Sequence, residues 1–399
     1  MPADAGKAIH YGIMPIQARG DSSQLIQACQ RELGPSAQRM GVNLTNNPSI
    51  VPHCMMADID NKLAVLQKQN CRFVVLILFD KFCYFQVKRY SDILSGLPTQ
   101  CVLDKTLRRG QCGPNLMLKI NGKLGGVNWS IPSMVSDKEL IQVFGIDVTH
   151  PAPGGRREMQ MSIAAVTASI SADLMRYAVV VRQQNTRQTG NNSTREIVDA
   201  MDSIVYDLVQ ACAKNNGGKL PDRLIFYRDG VSEGQFQHVL VEELTAIQKV
   251  CRNLRPDYEP AITYITVGKR HHIRFLPLQG ERNVKPGTVV DTQITAKNEF
   301  DFYLCSHEGI QGTSKPAHYS ILYDDSNWGS AQLQLFTYCL CHAYLRCPRS
   351  VSIPAPTYYA HLAAFRARDW LNGVRSVDML IEKNQFKIHN LQKSAMFFL

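Results

Sequence analysis

Apolar positions form strand-length runs and helix-spaced stripes in alternation from residue 8 onward. Ala8 to Ile16 is strand-like. Asp21 to Met40 predicts a helix capped at Asp21 or Ser22, with Leu25, Ile26, Cys29 and Leu33 on one face. Asp58 to Gln69 predicts a second helix. Arg72 to Phe79 is a nearly continuous apolar run of strand length, the pattern of a parallel strand covered on both faces. Together these elements make a small α/β domain. Ser130 to Asp137, a polar stretch with one proline, marks a boundary.

The pattern then changes. Leu140 to Thr149, Ser162 to Ser171 and Tyr177 to Gln183 predict an antiparallel meander of three strands. Thr194 to Lys214 predicts a helix with Ile197, Met201, Ile204, Leu208 and Cys212 as its stripe. A strand (Arg223 to Tyr227), a helix (Glu233 to Cys251) and a strand (Ala261 to Val267) follow. The order β-β-β-α-β-α-β is the topology of ribonuclease H-like domains. There is no internal repeat and no low-complexity tract.

Composition narrows the class. Of 399 residues, 45% are hydrophobic and 20% charged, ordinary for a globular chain. No stretch approaches the roughly 20 apolar residues of a membrane span, and the N-terminus lacks the pattern of a secretory signal. Several of the twelve cysteines lie in or beside apolar runs, where they read as small buried hydrophobes. The expectation is a reducing compartment. Cys339, Cys341, His342 and Cys347 cluster in a helix-like segment, but neighbours two apart point different ways, which disfavours a metal site. The net charge of +10 is uneven: residues 1–138 hold 16 basic and 9 acidic residues, a net of +7. Either a polyanion partner or a solvated basic surface accounts for that excess.

Two aspartates stand where apolar strands end in turns, Asp147 in GIDVTHP and Asp229 in FYRDGVSEGQF. In the predicted order their strands are neighbours. Adjacent carboxylates repel unless a divalent cation sits between them, and two such ions can hydrolyse a phosphodiester. Each aspartate could equally well only begin a turn. Glu196 is as ambiguous: Ser193 and Glu196 form a capping box, yet a third metal-binding carboxylate is the alternative. Lys269, Arg270, His271 and His272 follow a strand directly, either as phosphate ligands or as a solvated run. His361 lies among apolar residues, with Arg366 and Arg368 nearby. Tyr84 and Lys88, four apart, fall on one face, which suits a stacked base and a held phosphate, or merely a half-buried tyrosine and a surface ion.

GIDVTHP, FYRDGVSEGQF, KRHH, GTVVDTQIT, FDFYLCSHEGIQGTSKPAHY and SVSIPAPTYYAHLAAFRAR together resemble the PIWI domain of eukaryotic Argonautes. The upstream segment, with TQCV and LMLKINGKLGGVNW, resembles the Argonaute MID domain. The resemblance implies an α/β chain in two domains, a Rossmann-like MID domain over 1–137 and a ribonuclease H-like PIWI domain over 138–399. It suggests a filamentous-fungal Argonaute of the quelling type as the source. It implies small-RNA-guided silencing: binding the 5′-phosphorylated end of a guide RNA and cleaving complementary RNA by two-metal hydrolysis. A guide-binding module that recruits partners without cutting is the alternative, and tryptophan-rich silencing adaptors are partners the family suggests.

The resemblance assigns Asp147, Glu196, Asp229 and His361 to the catalytic tetrad, with Asp147, Asp229 and His361 as ligands of two Mg2+ ions, for which Mn2+ could substitute. Tyr84, Lys88, Gln100, Lys119, Lys123 and Arg366 match the pocket for the guide's 5′ end, Arg366 reaching across from the PIWI domain. Lys269, Arg270, His271, His307, Tyr344, Arg346, Arg349, Ser352 and Tyr358 match positions along the guide backbone. The apolar MFFL terminus is similar to a tail that packs back near the pocket. Three departures stand out. The N-terminal and PAZ domains do not fit in this length, which implies a MID–PIWI fragment that cleaves weakly. The loop Phe79 to Cys83, which faces the first base, is about one residue short of animal relatives. RQQNTRQTGNNSTRE, before Glu196, is longer than theirs.

Overall fold

The computed structural model describes residues 6–18, 20–132, 138–151, 161–186, 196–278, 280, 282–374 and 376–399. The chain packs as two compact units. The first holds Met1–Trp129, Arg366–Glu382 and Lys387–Leu399; the second holds Ser130–Phe365 and Lys383–Phe386. The sequence suggests one cut near residue 137, with everything beyond it in the second domain. Packing instead returns two C-terminal segments to the first unit, because Arg366, Trp370 and Phe397 are buried there around Asp92.

The first unit is a four-stranded parallel sheet in the order β2 (Ser49–Ile50), β1 (Tyr11–Ile16), β3 (Phe73–Leu78), β4 (Thr99–Leu103). Alternation along β3 builds its two cores. Phe73, Val75 and Ile77 share one with Leu25, Cys29 and Leu33 of α1 (Ser23–Arg39) and Leu116, Met117 and Ile120 of α5 (Gly113–Lys123). Val74, Leu76 and Leu78 face the other, with Ile59, Leu63 and Leu66 of α2 (Ile59–Lys68) and Val87 of α3 (Phe82–Arg89). A short helix, α4 (Asp104–Arg109), links β4 to α5.

The second unit contains β5 (Ile141–Thr149), β6 (Ser162–Ser169), β7 (Tyr177–Gln184), α6 (Met201–Asn215), β8 (Arg223–Asp229), α7 (Phe236–Val239), α8 (Thr245–Leu254) and β9 (Ala261–Gly268), the predicted order. A π-helical turn, Leu240–Leu244, joins α7 to α8. β10 (Thr288–Val290), β11 (Phe300–Cys305), β12 (Ala317–Asp324), α9 (Ser330–His342) and α10 (Ala355–Leu371) follow, the last turns of α10 belonging to the first unit. The sheet runs β10-β11-β12-β9-β8-β5-β6-β7, with Gln385–Phe386 paired on β7. β5, β8 and β9 are parallel; β6 is antiparallel to β5, and β7 is antiparallel to β6. One face of the sheet packs on α6 and α8 through Phe144, Ile146, Ile204, Leu208, Phe226 and Ile247.

The helix predicted from Thr194 begins only at Met201, and Glu196–Ala200 is not helical. The capping box therefore does not form at Glu196. Its other half, Ser193, lies outside the described residues.

Candidate functional site

Each unit gathers one constellation. In the first, α3 presents Tyr84 and Lys88 on one face, one turn apart, β4 contributes Gln100, and α5 ends on Lys123. The Lys88 ammonium lies 5.7 Å from the centre of the Tyr84 ring and donates to the carbonyl and hydroxyl of Thr99 at 2.8 and 2.9 Å. Lys123 Nζ donates to the same carbonyl at 3.0 Å and to Gln100 Oε1 at 2.8 Å. The Arg366 guanidinium lies 5.7 Å from the Tyr84 ring centre, donating to Asp92 Oδ2 at 2.8 Å and to the Phe397 carbonyl at 2.9 Å. Lys88, Lys123 and Arg366 are each at most 6% exposed. Lys119 is half-buried and close enough to add to the repulsion on Lys123. All six residues assigned to this pocket are thus in one unit, and the MFFL tail contributes a carbonyl.

Burial lowers the pKa of Lys88. The Lys123 pKa falls well below that of an ordinary lysine, first by burial, then by repulsion from Lys88 and Arg366. Burial raises Asp369 to about 6 against the pull of Arg366. Thr99, Asp92 and Asp369 carry no signal in the sequence. Asp92 is 1% exposed, and its Oδ2 also accepts from Trp370 Nε1 at 3.1 Å.

In the second unit, a cleft of about 900 Å³ opens at the ends of β5, β8 and β9. The β5–β8 register pairs Ile146 with Arg228, so the next residues, Asp147 and Asp229, stand level on neighbouring parallel strands. Both line the cleft and are 6% exposed. His361, from α10, holds Nδ1 3.0 Å from Asp147 Oδ2. Glu196 lines the cleft too; its Oε1 accepts from His150 Nε2 at 2.9 Å, while His150 Nδ1 meets the Ser162 hydroxyl at 2.9 Å. His150 belongs to the quoted GIDVTHP motif, but nothing in the sequence singles out its role.

Of the residues assigned to the guide backbone, Lys269, Arg270 and His271 line this same cleft. Lys269 is bound elsewhere than expected: its ammonium donates to Asp229 Oδ2 at 2.6 Å. His271 Nε2 donates to the Pro316 carbonyl, and burial lowers its pKa. Tyr344 and Tyr358 pack with ring centres 4.7 Å apart. The Ser306 hydroxyl donates to the Val351 carbonyl at 2.7 Å, bringing the chain at His307 beside that at Ser352. Arg346 meets Tyr344, and Arg349 is exposed.

Among the described residues, no three His, Cys, Asp or Glu side chains converge as a ready ligand set. Asp147, Glu196, Asp229 and His361, which all line the cleft, nonetheless offer a donor set that fits a hard divalent cation that retains water. An ammonium already neutralises Asp229, as a cation there would.

The Piwi domain model matches residues 73–372. The C-terminal lobe of a budding yeast Argonaute is 26% identical, with a TM-score of 0.86 over 99% of this chain and 86% of that one. The Kluyveromyces polysporus Argonaute with a guide RNA gives the same identity, TM-score and cover of this chain, but only 51% of its own is matched, so this chain spans about half its length. The MID-PIWI domains of N. crassa QDE-2 AGO share the fold at 22% identity and a TM-score of 0.65, covering 99% of this chain and 100% of that one. The chain belongs to the Piwi-domain family and has the fold of the C-terminal half of an Argonaute, a Rossmann-like MID domain followed by a ribonuclease H-like PIWI domain.

Proposed function

We propose that this chain anchors the 5′-phosphate of a small guide RNA in its first unit and cleaves complementary RNA in the cleft of its second. The observation that carries the reading is the buried trio Lys88, Lys123 and Arg366 around Tyr84. Two carboxylates act on Lys88 and Arg366: Asp92 is bonded to Arg366 and Trp370, and burial raises Asp369 to about 6. A terminal phosphate would supply the missing negative charge, and a 5′-hydroxyl would leave buried cations unpaired. The Tyr84 ring would stack on the first base. Arg270, His271, His307, Tyr344, Arg346, Arg349, Ser352 and Tyr358 would hold the guide backbone without reading sequence, which pairing with the target supplies.

For cleavage, Asp147, Asp229 and His361 would hold Mg2+, or Mn2+ in its place, and Glu196 would complete the arrangement. The bound ions would activate water and stabilise the leaving oxygen. His150 orients the Glu196 carboxylate, and the Lys269 ammonium would leave Asp229 for a metal ion to bind there. The twelve free cysteines, ten of them buried, support a reducing, cytoplasmic compartment.

The test compares binding of one RNA of about 21 nucleotides bearing a 5′-phosphate or a 5′-hydroxyl, at fixed salt. A preference of about tenfold, or about 1.4 kcal/mol, lost in Lys88→Ala, is expected. Equal and strongly salt-sensitive binding of both would withdraw the reading. The Lys269–Asp229 pair favours a second reading, a guide-binding module that recruits partners such as tryptophan-rich adaptors without cutting. Absence of target cleavage by a guide-loaded chain would select it.

A further inference from the structure

Four consecutive residues, Glu196 to Asp199, are neither helix nor strand, yet distant side chains hold their backbone. Gln184, at the end of β7, donates from Nε2 to the Ile197 carbonyl at 2.7 Å and accepts at Oε1 from the Asp199 amide at 3.3 Å. One amide head thus satisfies the residues on both sides of Val198. Glu243, in the π-helical turn, accepts from the Val198 amide itself at 3.0 Å. Arg228 donates to the Glu196 carbonyl. Gln184 is 3% exposed and Glu243 is fully buried. Glu243 is fixed in turn by the Tyr264 hydroxyl and by the Arg228 guanidinium, 3.5 Å away. Ile197 and Val198 are buried in the core of the unit.

A buried carboxylate is a liability unless every lone pair is used, and an apolar side chain would cover Val198 at less risk. The same segment leads straight into the cleft, where Glu196 meets His150. We propose that Gln184 and Glu243 are positioning residues: they lock the backbone of 197–199 so that the Glu196 carboxylate is held at the cleft. The proposal rests on the reading of Glu196 as part of a cleavage site.

The test uses the full chain loaded with a 5′-phosphorylated guide. Single-turnover cleavage of a complementary RNA is followed against Mg2+ concentration. Gln184→Leu removes both amide bonds. Tyr264→Phe loosens Glu243 without stranding a buried charge. The expected result is a rate lower by about ten- to hundredfold, the range for groups that support a metal site from outside its ligands, with more Mg2+ needed for half-maximal rate. Thermal midpoint and guide affinity stay near those of the parent. Parental rates and Mg2+ dependence in both variants would overturn the proposal. So would losses that merely track a fall in thermal midpoint and guide affinity, the mark of a structural role. If the guide-loaded parent itself fails to cut, the cleavage reading falls and takes this proposal with it, an outcome distinct from a cutting parent with unaffected variants.

Discussion

Lys88 and Lys123 donate to one oxygen, the Thr99 carbonyl, at 2.8 and 3.0 Å. Two buried ammonium groups meeting on a neutral acceptor repel each other, and the repulsion is part of what depresses Lys123. Without a ligand this arrangement works against the fold. Lys123→Met keeps the volume and removes one charge, so it is expected to raise the thermal midpoint in the absence of RNA. A gain of about 1 kcal/mol would move the midpoint by about 2–4 °C. The same substitution should abolish the further rise that 5′-phosphorylated RNA gives the parent. A lower midpoint with the RNA-dependent rise intact would sink the idea.

The same pair sets a pH dependence. Both lysines have folded-state pKa values below the ordinary one of about 10.4. Between the folded and unfolded values the unfolded chain binds more protons, so the stability of the RNA-free protein rises with pH as it approaches the ordinary lysine value. At pH below the folded values the penalty is complete. Phosphate binding needs the charged forms and draws protons in. The preference for 5′-phosphate over 5′-hydroxyl should therefore shrink as pH is raised from neutral and Lys123 loses its proton. A ratio of dissociation constants that stays constant as pH rises would contradict it.

How much of this was legible in the sequence differs from site to site. Asp147 and Asp229 were readable because each follows an apolar strand, and the order of elements makes those strands neighbours. Tyr84 and Lys88 were readable by helical spacing. Thr99 was not, since it binds both lysines largely through its backbone carbonyl, which any residue carries. Asp92 was hidden because its partners, Arg366 and Trp370, are 274 and 278 residues away. The helix that the stripe predicts from Thr194 starts later for a related reason. Ile197 falls in register with the stripe of α6 and is buried with it. Its backbone, however, is claimed by Gln184, and that of Val198 by Glu243, bonds with no local signature.

Asp147 is the sharper test of chemistry. It is a strand-end carboxylate beside His361 in the second unit, outside the Tyr84 pocket. Asp147→Ala should leave guide binding unchanged and lower target cleavage by about a thousandfold or more, the scale of losing several kilocalories of transition-state stabilisation. Glu196→Gln keeps the shape and a weaker bond to His150, and should also stop cleavage with guide binding intact. Unchanged cleavage in Glu196→Gln would remove that residue from the mechanism while leaving the Asp147 assignment standing.

Gly145 lies two residues before Asp147 on β5 and has no room for a methyl group. A Cβ there would sit 2.0 Å from the Pro356 carbonyl carbon and 2.4 Å from the Thr357 nitrogen, both backbone atoms that cannot swing aside. These atoms open α10, whose start is tied to the sheet by the Thr167 hydroxyl donating to the Pro356 carbonyl at 2.8 Å. The same helix carries His361, 3.0 Å from Asp147. Gly145→Ala must therefore push α10 off β5 and draw the imidazole away from the carboxylate. The expected destabilisation is about 1–3 kcal/mol, the range for overpacking a close contact. Cleavage measured well below the lowered thermal midpoint should still fall by about tenfold or more, because the imidazole no longer meets Asp147. Thr167→Val removes only the hydroxyl bond and should cost about 1 kcal/mol with a smaller loss of rate. Full activity in Gly145→Ala would mean that the distance from His361 to Asp147 does not limit the reaction.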